Sequence, residues 1–150
     1  ERHVFLNVGE AMKAPDGSEG RYLVRDTWNT EIVSELRPQK GDLVLYKTRF
    51  SGFYDTSLDA SLKKLRAKYL IFTGVTTSIC VESTVRDAMF RDYLPIVLED
   101  CVAEPIGYDL ERSNHEASLL AIQTLLGYVS NADSFTRALR ERLNPAPHEP

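Results

Sequence analysis

The chain has 150 residues, of which 43% are hydrophobic and 27% are charged, and its formal net charge is −4. This length and composition are typical of one globular domain with its own core. The negative charge argues against a nucleic-acid-binding surface, which would be basic, and no apolar run reaches the roughly 18 residues of a transmembrane helix. The chain begins with Glu1 rather than Met, so its true start and any targeting signal are left open.

The cysteines and histidines indicate neither a disulfide framework nor a metal site. Two cysteines, Cys80 and Cys101, are too few for such a framework, and we expect both to be reduced thiols in a cytoplasmic protein. Cys101 is predicted to lie in the core. The three histidines are scattered, and no cluster has the spacing of metal ligands.

The first third of the chain predicts a short strand, a loop and a helix. Residues 3–8 have the apolar pattern of a strand, and residues 9–20 are rich in Gly, Pro, Asp and Ser, which predicts a loop. A helix is expected over residues 30–36, with Asn29 or Thr30 as its cap.

A second predicted strand, residues 42–46, ends immediately before Lys47. In open α/β sheets, ligands bind at the carboxyl ends of the strands. A lysine at that position can hold a developing negative charge, move a proton or stabilise a neighbouring thiolate. A lone lysine is otherwise most often a solvated surface residue, so the residue pattern alone leaves both interpretations open.

The middle of the chain predicts a helix, a strand and a second helix. Thr56 or Ser57 caps a helix that ends near Lys68, with one apolar stripe formed by Leu58, Leu62 and Leu65. Residues 69–72 form a short β-branched and aromatic run that predicts a strand, and a turn follows. The next helix has apolar residues at helical spacing: Val81, Val85, Ala88, Met89 and Tyr93.

Cys80 lies at the junction of that strand and that helix. A helix N-terminus carries partial positive charge and free N–H groups, which favour a thiolate and can bind an oxyanion beside it. Free cysteines are also among the most buried residues, so a structural thiol is the alternative. His115, in a later helix, is a rival partner for a Cys–His dyad, because such partners are distant in sequence.

The last third of the chain continues the alternation of strands and helices. Strands are predicted at residues 95–99 and 128–130, and helices at about residues 110–126 and from Asn131 or Asp133 to residue 143. Residues 144–150 are predicted to be a flexible tail. The alternation implies an α/β fold with a parallel sheet covered by helices on both faces.

Two motifs carry a family resemblance. Residues 74–87 read Gly-Val-Thr-Thr-Ser-Ile-Cys-Val-Glu-Ser-Thr-Val-Arg-Asp, and residues 47–58 read Lys-Thr-Arg-Phe-Ser-Gly-Phe-Tyr-Asp-Thr-Ser-Leu. They resemble the nucleophile and lysine motifs of the isochorismatase-like cysteine hydrolases, in particular the ureidoacrylate amidohydrolase and biuret hydrolase branches. The resemblance extends over residues 3–139.

The resemblance implies a three-layer α/β/α sandwich with a mostly parallel, Rossmann-like sheet in one domain over residues 1–143. In the family, the first strand lies at the centre of the sheet and ends in a catalytic aspartate. No segment of this chain matches that strand. We therefore expect the chain to be shortened by about a strand and a helix, and the aspartate to lie in the full protein. If this chain is complete, we expect it to be inactive and unfolded alone, because a sheet without its middle strand leaves two edges of unpaired backbone groups.

The resemblance also implies the catalytic residues. Cys80 would be the nucleophile and Lys47 its catalytic lysine. The backbone N–H groups of Thr76 and Cys80 would form the oxyanion hole, and the Val75–Thr76 peptide bond would be cis. The family has Asn or Asp at the place of Ser78.

Four further residues are candidate substrate contacts by resemblance. Arg49 could bind a carboxylate or urea oxygen through its planar fork, or be a structural ion-paired residue. Phe50 and Phe53 would line the pocket or an oligomer contact; Phe50 replaces the tyrosine of ureidoacrylate hydrolases. Asn7 would lie near the pocket, although a turn-forming asparagine is the alternative.

The implied activity is hydrolysis of a C–N bond in a small linear amide or ureido compound, such as ureidoacrylate or biuret, through a thioester intermediate. No organic cofactor is implied; some members of the family bind a metal, but the sequence shows no ligand cluster for one. The expected partners are the small amide substrate and copies of the chain in a dimer or tetramer, without nucleic acid or membrane. Two alternatives stay open: an isochorismatase-type hydrolase of another small substrate, which would lack the nucleophilic cysteine, and a non-catalytic family member.

Overall fold

The computed structural model of the protein describes residues 8–14 and 16–144. The chain forms two compact units, one ending at Val44 and the other beginning at Leu45. Among the described residues, no helix is long and apolar enough to cross a membrane.

Two predicted features fall largely outside this range. Of the predicted strand at residues 3–8, only Val8 is described, and of the tail at residues 144–150, only Asn144 is described. The single domain over residues 1–143 stays a prediction.

The first unit contains a β-hairpin. Strands β1 (Ala11–Lys13) and β2 (Glu19–Arg21) pair in the antiparallel direction. The prediction of a loop over residues 9–20 is therefore wrong for both strands. The turn-forming residues belong to the connection between them, where the Gly17 N–H donates to the Ala14 carbonyl at 2.9 Å.

Two short 3-10 turns, Trp28–Thr30 and Ser34–Leu36, replace the helix predicted over residues 30–36. Polar side chains bond to nearby backbone and compete with the helical pattern. The Thr30 hydroxyl donates to the Thr27 carbonyl at 2.9 Å. The Asn29 amide donates to a carbonyl of the hairpin at 2.6 Å.

The segment of residues 42–46 forms no strand, in contrast to the prediction. A β-strand needs a hydrogen-bonded neighbour, and no described segment pairs with these residues. Leu43, Val44 and Tyr46 are exposed. The apolar composition of a strand is thus present here without its pairing partner.

The second unit contains a parallel sheet of three strands in the order β3–β4–β5. The strands are β3 (Tyr69–Val75), β4 (Leu94–Ala103) and β5 (Tyr128–Ser130). The three strands predicted in this part of the chain are confirmed. The first two extend beyond their predicted ends.

Four helices accompany the sheet: α1 (Leu58–Lys64), α2 (Glu82–Met89), α3 (Asn114–Ala121) and α4 (Ala132–Leu143). Helix α2 connects β3 to β4 and α3 connects β4 to β5, as parallel neighbouring strands require. Helix α3 begins later than predicted, because Ser113 forms a capping box with Glu116. Asn131 caps α4 as predicted. A parallel sheet flanked by helices confirms the predicted α/β class.

The core of the second unit has two clusters. The first cluster joins the sheet to α2 and to the π-helical turn Ile122–Leu126. Its buried members are Val81, Val85, Val97, Val102, Ile122 and Leu126. The second contains Phe53, Ala88 and Tyr93, against which Leu58 and Leu62 of α1 pack. Leu65 is 75% exposed, contrary to its predicted place on the apolar stripe, because α1 ends at Lys64.

Cys101 is exposed, and its predicted core position is wrong. It lies in an irregular part of β4: Phe72 pairs with Val97, but Gly74, two residues later in β3, already pairs with Val102. The intervening residues of β4 therefore bulge out of register, and residues 99–101 all face solvent.

Candidate active site

Cys80 lies in the turn between the sheet and α2, which we call the cysteine turn. Strand β3 ends at Val75, the Val75–Thr76 peptide bond is cis, and a π-helical turn, Thr77–Val81, leads into α2. The Thr76 carbonyl closes this turn, since it accepts from the N–H of Ile79 at 3.3 Å and from that of Val81 at 3.1 Å. Cys80 is half-buried there.

The side chain of Lys47 reaches the Cys80 thiol. Lys47 Nζ lies 3.5 Å from Cys80 Sγ, although 33 positions separate the two residues. The same Nζ donates to the Arg49 carbonyl at 3.1 Å, which fixes the direction of the flexible lysine side chain. An ammonium group at this distance can form a charge-assisted hydrogen bond with a thiolate.

Residues 47–53, which we call the lysine segment, are anchored to α2 and to the core. The Gly52 N–H donates to Thr84 Oγ1 at 3.0 Å, and Thr84 Oγ1 donates to the Cys80 carbonyl at 2.6 Å. Phe53 is buried and stacks on Tyr93, with 5.9 Å between the ring centroids. The lysine segment and the cysteine turn are thus held together by contacts besides the Lys47–Cys80 pair.

Ser51 provides a third anchor, through Asp87 of α2. Burial alone would raise the pKa of Asp87, but hydrogen bonds from Ser51 and Arg91, with the charge of Arg91, bring the pKa of this carboxyl below its ordinary value. The Arg91 guanidinium lies 2.7 Å from Asp87 Oδ1. Asp87 is therefore an ionised structural residue.

Glu104 and His115 also hold the cysteine turn. Glu104 Oε2 accepts from the N–H of Ser78 at 2.9 Å and from its hydroxyl at 2.5 Å, and Oε1 accepts from the Ile106 N–H at 3.0 Å. Burial opposes ionisation, but these hydrogen bonds and the charge of His115 lower the pKa of Glu104. Thr77, which is fully buried, has its Oγ1 2.9 Å from His115 Nδ1.

This arrangement bears on the rival Cys–His dyad. His115 Nδ1 lies within hydrogen-bond distance of Thr77 Oγ1, whereas Lys47 Nζ contacts Cys80 Sγ. This geometry favours Lys47 over His115 as the partner of the thiol. Ser78 also takes part in the site. This serine, which stands where the family has Asn or Asp, donates two hydrogen bonds to Glu104.

The candidate substrate contacts have different surroundings. Phe50 is 41% exposed, and the Arg49 guanidinium lies over the Tyr54 ring, 5.4 Å from its centroid. Phe53 is buried in the second core cluster, and its place in a pocket wall or an oligomer contact stays a prediction. Asn7 lies outside the described residues.

Sequence reasoning missed Thr84 and Glu104 as parts of the site. Thr84 stands inside the recognised motif, one turn after Cys80, and this spacing was the available signal. Glu104 carries no comparable signal, because an acidic residue after a strand is usually solvated. Among residues 8–14 and 16–144, no group of three or more His, Cys, Asp or Glu side chains could hold a metal ion.

Comparison with known families gives a match to the Isochorismatase domain over residues 7–134. The chain is 38% identical over 132 residues to ureidoacrylate amidohydrolase RutB of Variovorax paradoxus, covering 88% of this chain and 51% of the relative. The homologous amidohydrolase of Klebsiella pneumoniae is 41% identical over 133 residues, with coverage of 89% and 55%. The chain thus spans about half the length of these curated relatives.

Solved structures agree with this relationship. An isochorismatase-like hydrolase from Alkaliphilus metalliredigens is 33% identical, with a TM-score of 0.70 over 77% of this chain and 60% of that one. N-carbamoylsarcosine amidase from Thermoplasma acidophilum is 34% identical, with a TM-score of 0.60 over 69% and 56%. The domain match over most of the chain, with these sequence and structural relatives, shows that this chain belongs to the isochorismatase family.

Proposed function

We propose that the protein containing this chain is a cysteine-dependent hydrolase that cleaves a C–N bond in a small linear amide or ureido compound. The contact between Lys47 Nζ and Cys80 Sγ at 3.5 Å carries the proposal. A nucleophilic thiol needs a neighbour that favours its charged form, and an ammonium group supplies it. A binding module has no need for such a pair.

The proposed reaction has two steps. Cys80 Sγ, after losing its proton, attacks the carbonyl carbon, and the C–N bond breaks as the proton passes to the leaving nitrogen, which departs as ammonia or an amine. The acyl group stays on sulfur, as a thioester for a simple amide and as a thiocarbamate for a ureido compound. Water then adds to this carbon, releases the carboxylic or carbamic acid and restores the thiol. The N–H groups of Thr76 and Cys80 would hold the oxyanion of each tetrahedral intermediate. By resemblance, an aspartate of the full protein would move the proton.

The names of two relatives suggest the substrate class. Ureidoacrylate and N-carbamoylsarcosine both carry a carbamoyl group on nitrogen, and both carry a carboxylate. We propose the same class here, with biuret as a third member of the ureido compounds. Arg49 would bind the carboxylate, or a urea oxygen in biuret, through its planar guanidinium, and the exposed ring of Phe50 would pack against the substrate chain.

The test is hydrolysis by the protein expressed from its complete reading frame. Ammonia release would be followed with ureidoacrylate, N-carbamoylsarcosine and biuret, and intact-mass analysis would detect the acyl-enzyme. We expect turnover of a ureido compound that is abolished by Cys80→Ala and unaffected by Cys101→Ala, a matched change of the exposed cysteine. Equal activity in the Cys80→Ala variant would refute a cysteine mechanism.

A non-catalytic family member would behave differently in the same experiments. It would release no ammonia from any ureido compound, and its Cys80 would react with alkylating agents no faster than Cys101. Cytoplasmic location and assembly into a dimer or tetramer stay predictions, which fractionation and light scattering of the complete protein would test.

A further inference from the structure

The hydroxyl of Thr84 connects the segments that carry the two proposed catalytic side chains. Its oxygen accepts from the Gly52 N–H at 3.0 Å and donates to the Cys80 carbonyl at 2.6 Å. Gly52 lies five residues after Lys47 in the same segment. We infer that Thr84 is a positioning residue that keeps Lys47 within reach of the Cys80 thiol, an inference that rests on the proposed function of this pair.

Both hydrogen-bonding capacities of the hydroxyl are used, so its orientation is determined from both sides. A hydroxyl has one O–H donor, here directed at Cys80, and lone pairs, one of which receives the Gly52 N–H. Loss of the hydroxyl would leave the half-buried Gly52 N–H without this acceptor, and the lysine segment would gain freedom to move away from α2.

Gly52 also lies close to the Thr84 side chain. A methyl group at Gly52 would lie at an ordinary van der Waals distance of 3.4 Å from Thr84 Cγ2, and 3.3 Å from Leu58 Cδ2. Gly52 and Thr84 are therefore packing neighbours. Movement of one is transmitted to the other by contact as well as by the hydrogen bond.

Thr124 offers a comparison, because among the described residues its hydroxyl makes the local bond of Thr84 without a bond like that from the Gly52 N–H. Its hydroxyl donates to the carbonyl four residues earlier, that of Leu120, at 2.6 Å, the same local bond that Thr84 makes with Cys80. The Thr124 bond is exposed and stays within one helical segment. Replacement of Thr124 by valine therefore provides a control for the loss of the local bond.

The proposed role predicts an effect on thiol reactivity and turnover. In the protein expressed from its complete reading frame, the alkylation rate of Cys80 by iodoacetamide would be measured at neutral pH by peptide mass mapping, with Cys101 as internal reference. We expect Thr84→Val to lower the rate by about 5-fold, the loss of roughly one net hydrogen bond. Thr84→Ser keeps the hydroxyl and should restore the rate, and Thr124→Val should leave it unchanged.

Steady-state kinetics would separate positioning from general loosening of the structure. Thr84→Val should lower kcat for a ureido substrate by a similar factor, about 5-fold, with KM changed little. If Thr84→Val fails to fold by circular dichroism, Thr84→Ala is the second variant, and the comparison with Thr84→Ser still decides.

The outcomes distinguish this inference from the proposed function. A wild-type Cys80 that reacts no faster than Cys101 would overturn the proposed function, and the positioning role with it. A fast wild-type Cys80 whose rate is the same in Thr84→Val would overturn the positioning role alone. An equal loss in Thr124→Val would also overturn it, because the effect would then come from general helix stability.

Discussion

Glu104 accepts two hydrogen bonds from Ser78, one from its N–H and one from its hydroxyl, although the residues are 26 positions apart. One carboxylate thus joins the segment after β4 to the turn that carries Cys80. The Thr84 hydroxyl likewise joins that turn to the segment of Lys47. Two long-range sets of hydrogen bonds thus hold the turn that carries Cys80.

Replacement of Glu104 by Gln should lower the free energy of unfolding. The charged carboxylate accepts from Ser78 and Ile106, and we expect a loss of about 1 kcal/mol in urea denaturation after allowance for solvent screening. Glu99→Gln, an exposed change in β4, is the control and should have no measurable effect. An equal loss in both variants would contradict a specific role for Glu104.

The contribution of Glu104 should depend on pH. The pKa of Glu104 is lower in the folded protein than its ordinary value of 4.5, so the ionised form stabilises the fold. This stabilisation is complete above pH 4.5 and is lost as the pH falls through the lower, folded-state pKa. The stability difference between wild type and Glu104→Gln should therefore shrink in acid; a constant difference across this range would refute the assignment.

Replacement of Lys47 by Met should slow alkylation of Cys80. The thioether keeps the length of the side chain but removes the ammonium group that lies 3.5 Å from Sγ. Loss of a hydrogen bond to a charged group predicts a decrease of about 10-fold in the rate. Lys64→Met, at the exposed end of α1, is the matched control. An unchanged rate in Lys47→Met would show that Lys47 does not activate the thiol.

Replacement of His115 by Gln should leave the reactivity of Cys80 nearly unchanged. The glutamine amide can still bond with Thr77, whose hydroxyl lies 2.9 Å from His115 Nδ1. We expect less than about a twofold change in alkylation rate, since the hydrogen bond is exchanged rather than lost. A decrease as large as that in Lys47→Met would favour the Cys–His dyad instead.

Replacement of Ile122 by Ala should destabilise the second unit strongly. Ile122 is fully buried in the first core cluster, and its truncation should cost about 2–5 kcal/mol of unfolding free energy. Leu125→Ala, in the same π-helical turn but 78% exposed, should cost far less. Similar costs measured by chemical denaturation would contradict this description of the core.

The sequence determined the local features of the second unit. The apolar runs at β3, β4 and β5, the helical spacing of Val81, Val85 and Ala88, and the cap at Asn131 all depend on residues near one another in the chain. Periodicity and capping are local interactions, and they can be read from a short window of residues. The motif around Cys80 was recognisable for the same reason.

The tertiary structure alone decided which distant residues meet. Residues 42–46 have the composition of a strand, but pairing depends on a neighbour. Cys101 faces solvent because β4 is out of register with β3 at that point. The two motifs implied that Lys47 serves Cys80, but the 3.5 Å contact between them and the bonds of Glu104 with Ser78 depend on how strands and helices pack, and no local pattern encodes such long-range distances.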